Sequence, residues 1–200
     1  MLTLHQMAMS GNCYKIRLAA HQLGIPLNLV DYPLHGGKTR EPEFLAKNPN
    51  GRVPLLEFED GRFLPESGAI LFYLAQGSAL WPSGRWAQAE VLQWMFFEQY
   101  SHEPYIAVAR FWLGYAPKEA LEAKRHLVPE WHQKGYAALS VMEGHLAARD
   151  WFAGERYSIA DIALYAYTHK AHEGGFDLDD YRHVRAWMER VKATPGYIAL

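Results

Sequence analysis

A single cysteine, Cys13, stands in the 200 residues. An internal disulfide is therefore excluded, the fold must rest on a packed core, and a reducing compartment is indicated. Basic residues are not in excess: 20 lysines and arginines face 22 acids, for a net charge of −2. That balance argues against nucleic acid or an anionic membrane as the main partner. No apolar run approaches the roughly 20 residues that cross a bilayer. Met1-Leu2-Thr3-Leu4-His5 is too short, and lacks the charged start, for a secretory signal. Repeats and low-complexity tracts are missing too. His169 and His172 stand three apart, but one such pair without further ligands is a poor metal site, so no metal is expected. What is present is half hydrophobic and 14% aromatic, a globular chain with ample material for a core. A cytoplasmic protein of one large or two small domains is expected.

The two ends of the chain differ in pattern. Leu2-Thr3-Leu4-His5 alternates like a strand, and Ser10-Gly11-Asn12 turns into a helix from about Cys13 to Leu23, which Gly24 ends. Leu27 to Val30 is a second strand, and Glu41 to Ala46 at most a short helix. Val53 to Phe58 and Phe63-Leu64 flank the Asp60-Gly61 signal of a hairpin, and Pro65-Glu66-Ser67-Gly68 opens an apolar-faced helix. A parallel pair joined by a helix, followed by an antiparallel hairpin, gives a small mixed sheet covered by helices. Beyond the linker-like Gly77 to Gly84 no convincing strand occurs. Arg85 to Leu113 reads as a long helix that Pro104 should bend or break, and Lys118 to Arg149 as another with Pro129 inside it. Ser158-Ile159-Ala160-Asp161 resembles a capping box for a helix reaching about His172. The expected organisation is an α/β domain over 1–76, a linker over 77–84 and an all-helical domain over 85–200.

Residues 51–70 carry the first chemical signal. Pro54 lies at a strand entry, where it cannot donate to a ladder and leaves the backbone of Val53 open to an extended peptide. A few residues on, Glu66 and Ser67 mark a helix N-terminus, whose free N–H groups and hydroxyl suit a carboxylate, while Glu66 suits an ammonium. Together these describe a site for a short peptide with a free amino-acid end.

Ser10 to Arg17, Asn48 to Pro54, Glu66 to Ile70, Ser158 to Asp161 and the closing helix through Pro195-Gly196 together resemble the cytosolic glutathione transferase family, over essentially the whole chain. The resemblance implies a thioredoxin-like N-terminal domain of order βαβαββα, an all-helical C-terminal domain, and a homodimer. It implies glutathione as co-substrate: Val53 pairing with its cysteinyl part ahead of a cis-Pro54, Glu66 and Ser67 holding the γ-glutamyl end, and Lys38 and Arg52 meeting the glycyl carboxylate. Ser10 falls on the activating serine of the zeta class and Asn12 on the cysteine of that motif. Ser10-Gly11-Asn12 also resembles the Thr-Pro-Asn segment of bacterial nu-class enzymes, which favour disulfide chemistry. Ser10 and Asn12 are the candidates for activating the thiol, with Cys13 read as a helix-start residue; which of the three meets the sulfur stays open. Tyr100, His102 and Tyr105 are candidates for a pocket holding a small hydrophobic electrophile, although aromatics in a long helix are more often core. Conjugation is the leading activity. A glutathione-dependent disulfide or peroxide reductase, a zeta-like isomerase and a non-catalytic binding module are the alternatives.

Overall fold

The computed structural model describes residues 1–200. They gather into two compact units, one of Met1–Trp81 with Pro195–Leu200, the other of Pro82–Thr194. The first contains β1 (Leu2–Gln6), α1 (Gly11–Gln22), β2 (Leu27–Asp31), α2 (Pro42–Lys47), β3 (Leu55–Glu57), β4 (Phe63–Pro65) and α3 (Ser67–Ala75). Its sheet has the order β2-β1-β3-β4, with β1 and β2 parallel and the remaining pairs antiparallel. This is the small mixed sheet that the strand and helix order implied, in the thioredoxin-like arrangement that the family resemblance implied. Leu29, Leu4, Leu56 and Leu64 share one row across all four strands. Leu4 and Leu56 are fully buried, as are Ile16 and Leu18 of α1 and Ile70 and Leu71 of α3. Burying each such side chain stabilises by about 1.5–3 kcal/mol, which makes this apolar layer the main fastening of the two helices.

Local chemistry sets the turns. Gly61 takes φ +81° at the hairpin tip, a conformation glycine tolerates best. Ser10 caps α1, its hydroxyl oxygen accepting the Cys13 N–H at 3.3 Å. The last residues also belong to this unit: Tyr14 donates its hydroxyl to Ile198 O at 2.6 Å, and His21 Nδ1 lies 2.8 Å from Gly196 O.

The second unit is helical: α4 (Arg85–Phe97), α5 (Glu103–Gly114), α6 (Lys118–Glu122), α7 (Val128–Leu146), α8 (Ile159–Thr168) and α9 (Arg182–Lys192). Pro104 does not simply break a helix. A π-helical turn over Glu98–His102, in which the Glu103 N–H donates to Glu98 O, shifts the hydrogen-bond register and sets Pro104 in the first turn of α5. There its missing N–H has no intrahelical partner to lose. Pro129 likewise opens α7 instead of lying inside one continuous helix from Lys118. Helix α8 stops at Thr168, and His172 sits in a separate 3₁₀ turn, Ala171–Gly174.

The capping box at Ser158 is formed, and its acid does more than cap. Asp161 is wholly buried and accepts from the Ser158 N–H at 2.9 Å, the Phe152 N–H at 3.2 Å, the Ser158 hydroxyl at 3.2 Å and Trp187 Nε1 at 2.9 Å. Burial pushes its carboxyl up to about 6, although all four donors favour the charged form. Asp161 thereby ties the start of α8 to α9 through fully buried Trp187. Removing it leaves several buried donors without an acceptor, at about 1–3 kcal/mol each. Asp161→Ala is expected to lower unfolding free energy in urea by on the order of 4 kcal/mol, and Asp161→Asn by less, because one oxygen remains. A loss below about 1 kcal/mol for the alanine variant would contradict this role.

Candidate active site

The candidate site is built in the first unit from three segments: the β1–α1 turn, the loop before β3, and the start of α3. The β1–α1 turn is braced by Arg17. Its guanidinium donates to Gln6 Oε1 and, at 2.7 Å, to Ala8 O, while Gln6 Nε2 donates to Asp31 Oδ1 at 3.0 Å. Ser10 then leads into α1 as its cap. A hydroxyl has one donor and two acceptor positions, so accepting from Cys13 leaves the Ser10 proton for another partner.

Cys13 is fully buried, its sulfur accepting the Met7 N–H at 3.4 Å. Burial pushes its thiol above the ordinary range, against the weaker pull of the Met7 and Ser10 hydrogen bonds. It is a packed thiol, as its reading as a helix-start residue expected, and not an open nucleophile.

The loop before β3 is held from both sides. Asn48 is buried; its Nδ2 donates to Arg52 O at 2.8 Å and its Oδ1 accepts the Asn50 N–H at 3.1 Å. Arg40 Nη1 donates to Asn50 O at 2.8 Å. Gly51 takes φ +62°, and a Cβ there would come within 2.6 Å of Arg40 Nη1 and 2.9 Å of Thr39 O. Only glycine fits that corner. The Val53–Pro54 peptide is cis, as the family resemblance implied, and the β3 ladder begins two residues past Val53, at Leu55.

At the start of α3, Glu66 is exposed and takes φ +71°, ψ 117°, an uncommon conformation for a residue with a side chain. Ser67 follows in the first turn and is buried. Its hydroxyl donates to Asn12 Oδ1 at 3.2 Å, and the same oxygen accepts from Lys15 Nζ at 2.7 Å. The first turns of α1 and α3 are therefore joined through Asn12. The structure brings Asn12 and Ser67 together directly, with Ser10 two residues before Asn12 and Glu66 beside Ser67. Lys38 is exposed in a short 3₁₀ turn and paired with Glu41 at 2.8 Å. Arg52 is exposed next to Val53.

A largely apolar hollow of ≈ 350 Å³ opens beside the β1–α1 turn, lined by Met7, Met9, Tyr32, Pro33 and Leu34 among others. Nothing in the sequence reading had pointed to it, because its lining comes from two segments 20 or so residues apart that only parallel pairing of β1 and β2 brings side by side. In the second unit, Tyr100 and Tyr105 line a separate hollow of ≈ 280 Å³ with Phe97, Lys134 and Val141. Tyr100 is 84% exposed. His102 is not part of that lining: it is fully buried, with Nε2 2.9 Å from Thr168 Oγ1. The π-turn explains the difference, since it rotates successive side chains of Glu98–His102 away from the α-helical phase.

Lys15, Asn48 and Arg17 were not singled out from the sequence. Asn48 carried a usable signal, an Asn-Pro-Asn-Gly run of the kind that folds into side-chain-closed turns. Lys15 carried none, as a lysine in a helix is ordinarily solvated.

Comparison with known families gives two matches in chain order. A model described as "Glutathione S-transferase, N-terminal domain" matches residues 1–76, and one described as "Glutathione S-transferase, C-terminal domain" matches residues 94–195. The crystal structure of a glutathione S-transferase from Pseudomonas fluorescens superposes with a TM-score of 0.95 at 52% identity, over 99% of this chain and 98% of that one. Ure2p in complex with glutathione gives a TM-score of 0.84 at 25% identity, over 98% of this chain and 96% of that one. The disulfide-bond oxidoreductase YfcG of Escherichia coli K12 is 29% identical over 192 residues, 92% of this chain and 87% of the relative. With a thioredoxin-like unit, a helical unit and both family models matched in order, this chain belongs to the glutathione S-transferase family.

Proposed function

We propose that the protein binds glutathione and activates its thiol as a thiolate for attack on a small hydrophobic electrophile. The observation that carries this reading is the Ser67–Asn12 hydrogen bond. It sets a site suited to an amino-acid end, at Glu66 and Ser67, beside helix-start groups suited to a thiol, at Ser10 and Asn12. In this reading the backbone of Val53 pairs with the cysteinyl residue, and Pro54 fixes the bend before β3. Glu66 takes the γ-glutamyl ammonium; Ser67 and the first N–H groups of α3 take its carboxylate. Lys38 and Arg52 serve the glycyl carboxylate, for which Lys38 must exchange its Glu41 partner. The exposed aromatics of α3, Phe72 and Tyr73, suit the homodimer expected of the family. A cytoplasmic location belongs to the same proposal.

The chemical task is modest in energy. Bringing a thiol from pKa about 8.5 to about 6.5 takes about 2.7 kcal/mol of preferential stabilisation. One hydrogen bond to a charged sulfur supplies about 1.5–3 kcal/mol. Ser10 is too weak an acid to act as the base; it donates, as does the Asn12 amide, and the start of α1 adds a favourable dipole. The thiolate sulfur then forms a bond to the electrophilic carbon and the displaced group leaves with the bonding pair. The apolar hollow at Met7 and Leu34, next to Ser10, is our preferred seat for the electrophile's near side.

A second reading is glutathione-dependent disulfide reduction, favoured by the Ser10-Gly11-Asn12 motif and by similarity to YfcG. In that route the glutathione thiolate attacks one sulfur of the substrate disulfide and the other leaves as a thiolate. The buried Cys13 does not enter either route.

Retention on immobilised glutathione is expected for the wild type and is expected to fall at least about tenfold on Glu66→Ala or Ser67→Ala, the loss of one charge-assisted contact; a wild type that flows through would remove every glutathione-based reading. With a dinitrohalobenzene and hydroxyethyl disulfide as paired substrates, conjugation is expected to dominate, whereas turnover of the disulfide alone would reverse our order of preference. Cys13 is expected to resist a thiol reagent in native buffer and to react fully in guanidinium. Rapid native labelling that also abolished turnover would give this thiol a role.

A further inference from the structure

We propose that Lys15 is a positioning residue: it fixes the Asn12 carboxamide so that its NH₂ end, and not its oxygen, meets the thiol of bound glutathione. The inference rests on the reading of Ser10 and Asn12 as the thiol-activating pair.

Lys15 is 1% exposed. Its neighbours Cys13, Tyr14, Ile16 and Leu18 are fully buried, and an apolar residue at this point of α1 would pack with less cost. A lysine ammonium is seldom buried without a polar partner, because desolvation costs several kcal/mol. Its ammonium reaches back one turn to Asn12 Oδ1 at 2.7 Å. An ammonium has only donors to offer, so the Asn12 atom it meets must be the oxygen. The two ends of a carboxamide are otherwise nearly interchangeable in shape, and here chemistry decides between them. The Ser67 hydroxyl, 3.2 Å away and able to donate, meets the same oxygen. With its oxygen claimed by two donors, the amide holds its NH₂ on the opposite side.

The consequence is electrostatic. Rotated by half a turn, Asn12 would offer an acceptor to the sulfur and repel a thiolate. Held as it is, it offers a donor. A charged donor on the carbonyl also polarises the amide and strengthens its N–H groups, as in any cooperative hydrogen-bond chain. In this proposal Lys15 bears on the sulfur through Asn12, whose oxygen it shares with the same Ser67 that serves the γ-glutamyl end.

The test follows the ultraviolet absorbance of the bound thiolate against pH, with turnover, in wild type, Lys15→Met, Lys15→Arg, Asn12→Ala and the double variant Asn12→Ala with Lys15→Met. Lys15→Met is expected to remain on immobilised glutathione yet raise the bound thiol's pKa by about one unit, which leaves about tenfold less thiolate below neutrality. Its kcat should fall accordingly while KM for glutathione changes little. Lys15→Arg, also a pure donor, should stay within about threefold of wild type. The double variant should titrate like Asn12→Ala alone, because the proposed influence of Lys15 on the sulfur runs through the amide. Lys15→Gln is the second neutral variant should methionine unfold the protein, and it is expected to fall between methionine and wild type. A thiolate titration in either neutral variant that overlays the wild type overturns the proposal, as does a double variant whose loss is the sum of the single losses. A wild type that does not retain glutathione overturns the functional reading as well, so the two failures are told apart.

Discussion

One carboxamide oxygen holds the candidate site together. Asn12 Oδ1 accepts from Ser67 across the sheet's helical face and from Lys15 within its own helix. Helices α1 and α3 are packed side by side by apolar residues such as Ile16, Leu18, Ile70 and Leu71, but such contacts are non-directional. They bring two helix N-termini near each other without fixing which polar groups face the ligand. The hydrogen bonds at Asn12 supply that direction. The Ser67–Asn12 bond joins the first turns of the two helices, and helix starts are ready places for anionic groups such as a carboxylate or a thiolate.

The third wall of the site is held by a different device. Asn48, Arg40 and Gly51 shape the loop before Val53 through side-chain hydrogen bonds and a close backbone approach. This would suit the proposed role of the segment, in which Val53 offers its backbone to a peptide ligand. The exposed Glu66, at φ +71°, is a further backbone irregularity at the same place. Irregular conformations gathered where a ligand is expected, within a sheet that is otherwise regular, are the usual mark of a functional site.

Much of this was readable in the residues. The alternation of Leu2 to His5, the Asp60-Gly61 turn and the Ser158 to Asp161 cap are local signals, and each formed as its local chemistry dictates. Val53-Pro54 and Glu66-Ser67 stood out as a candidate site because their polar and conformational demands are out of keeping with plain strand and helix starts. What escaped depended on partners far along the chain. The ammonium of Lys15 found its acceptor within its own helix, but its burial is a tertiary fact that helix periodicity does not carry. Pro104 was read as bending or breaking a helix and Pro129 as lying inside one, whereas the chain uses both to begin new helices, the first after a register shift that no propensity scale encodes. That same shift buries His102, which an uninterrupted helix would have left plausible as a pocket residue.

The division between conjugation and disulfide reduction lies in what the thiolate is offered. In the proposed site the groups at Ser10 and Asn12 act as donors in either case. The central claim is therefore about assembly: one glutathione spans Val53, Glu66 and Ser67 with its sulfur at the first turn of α1. The most direct measurement is a crystal structure of the protein with glutathione bound. The account predicts the γ-glutamyl group at Glu66 and Ser67, the cysteinyl backbone paired with Val53, and the sulfur within hydrogen-bond reach of Ser10 Oγ or Asn12 Nδ2. A sulfur turned away from α1, or glutathione bound elsewhere on the molecule, would contradict it.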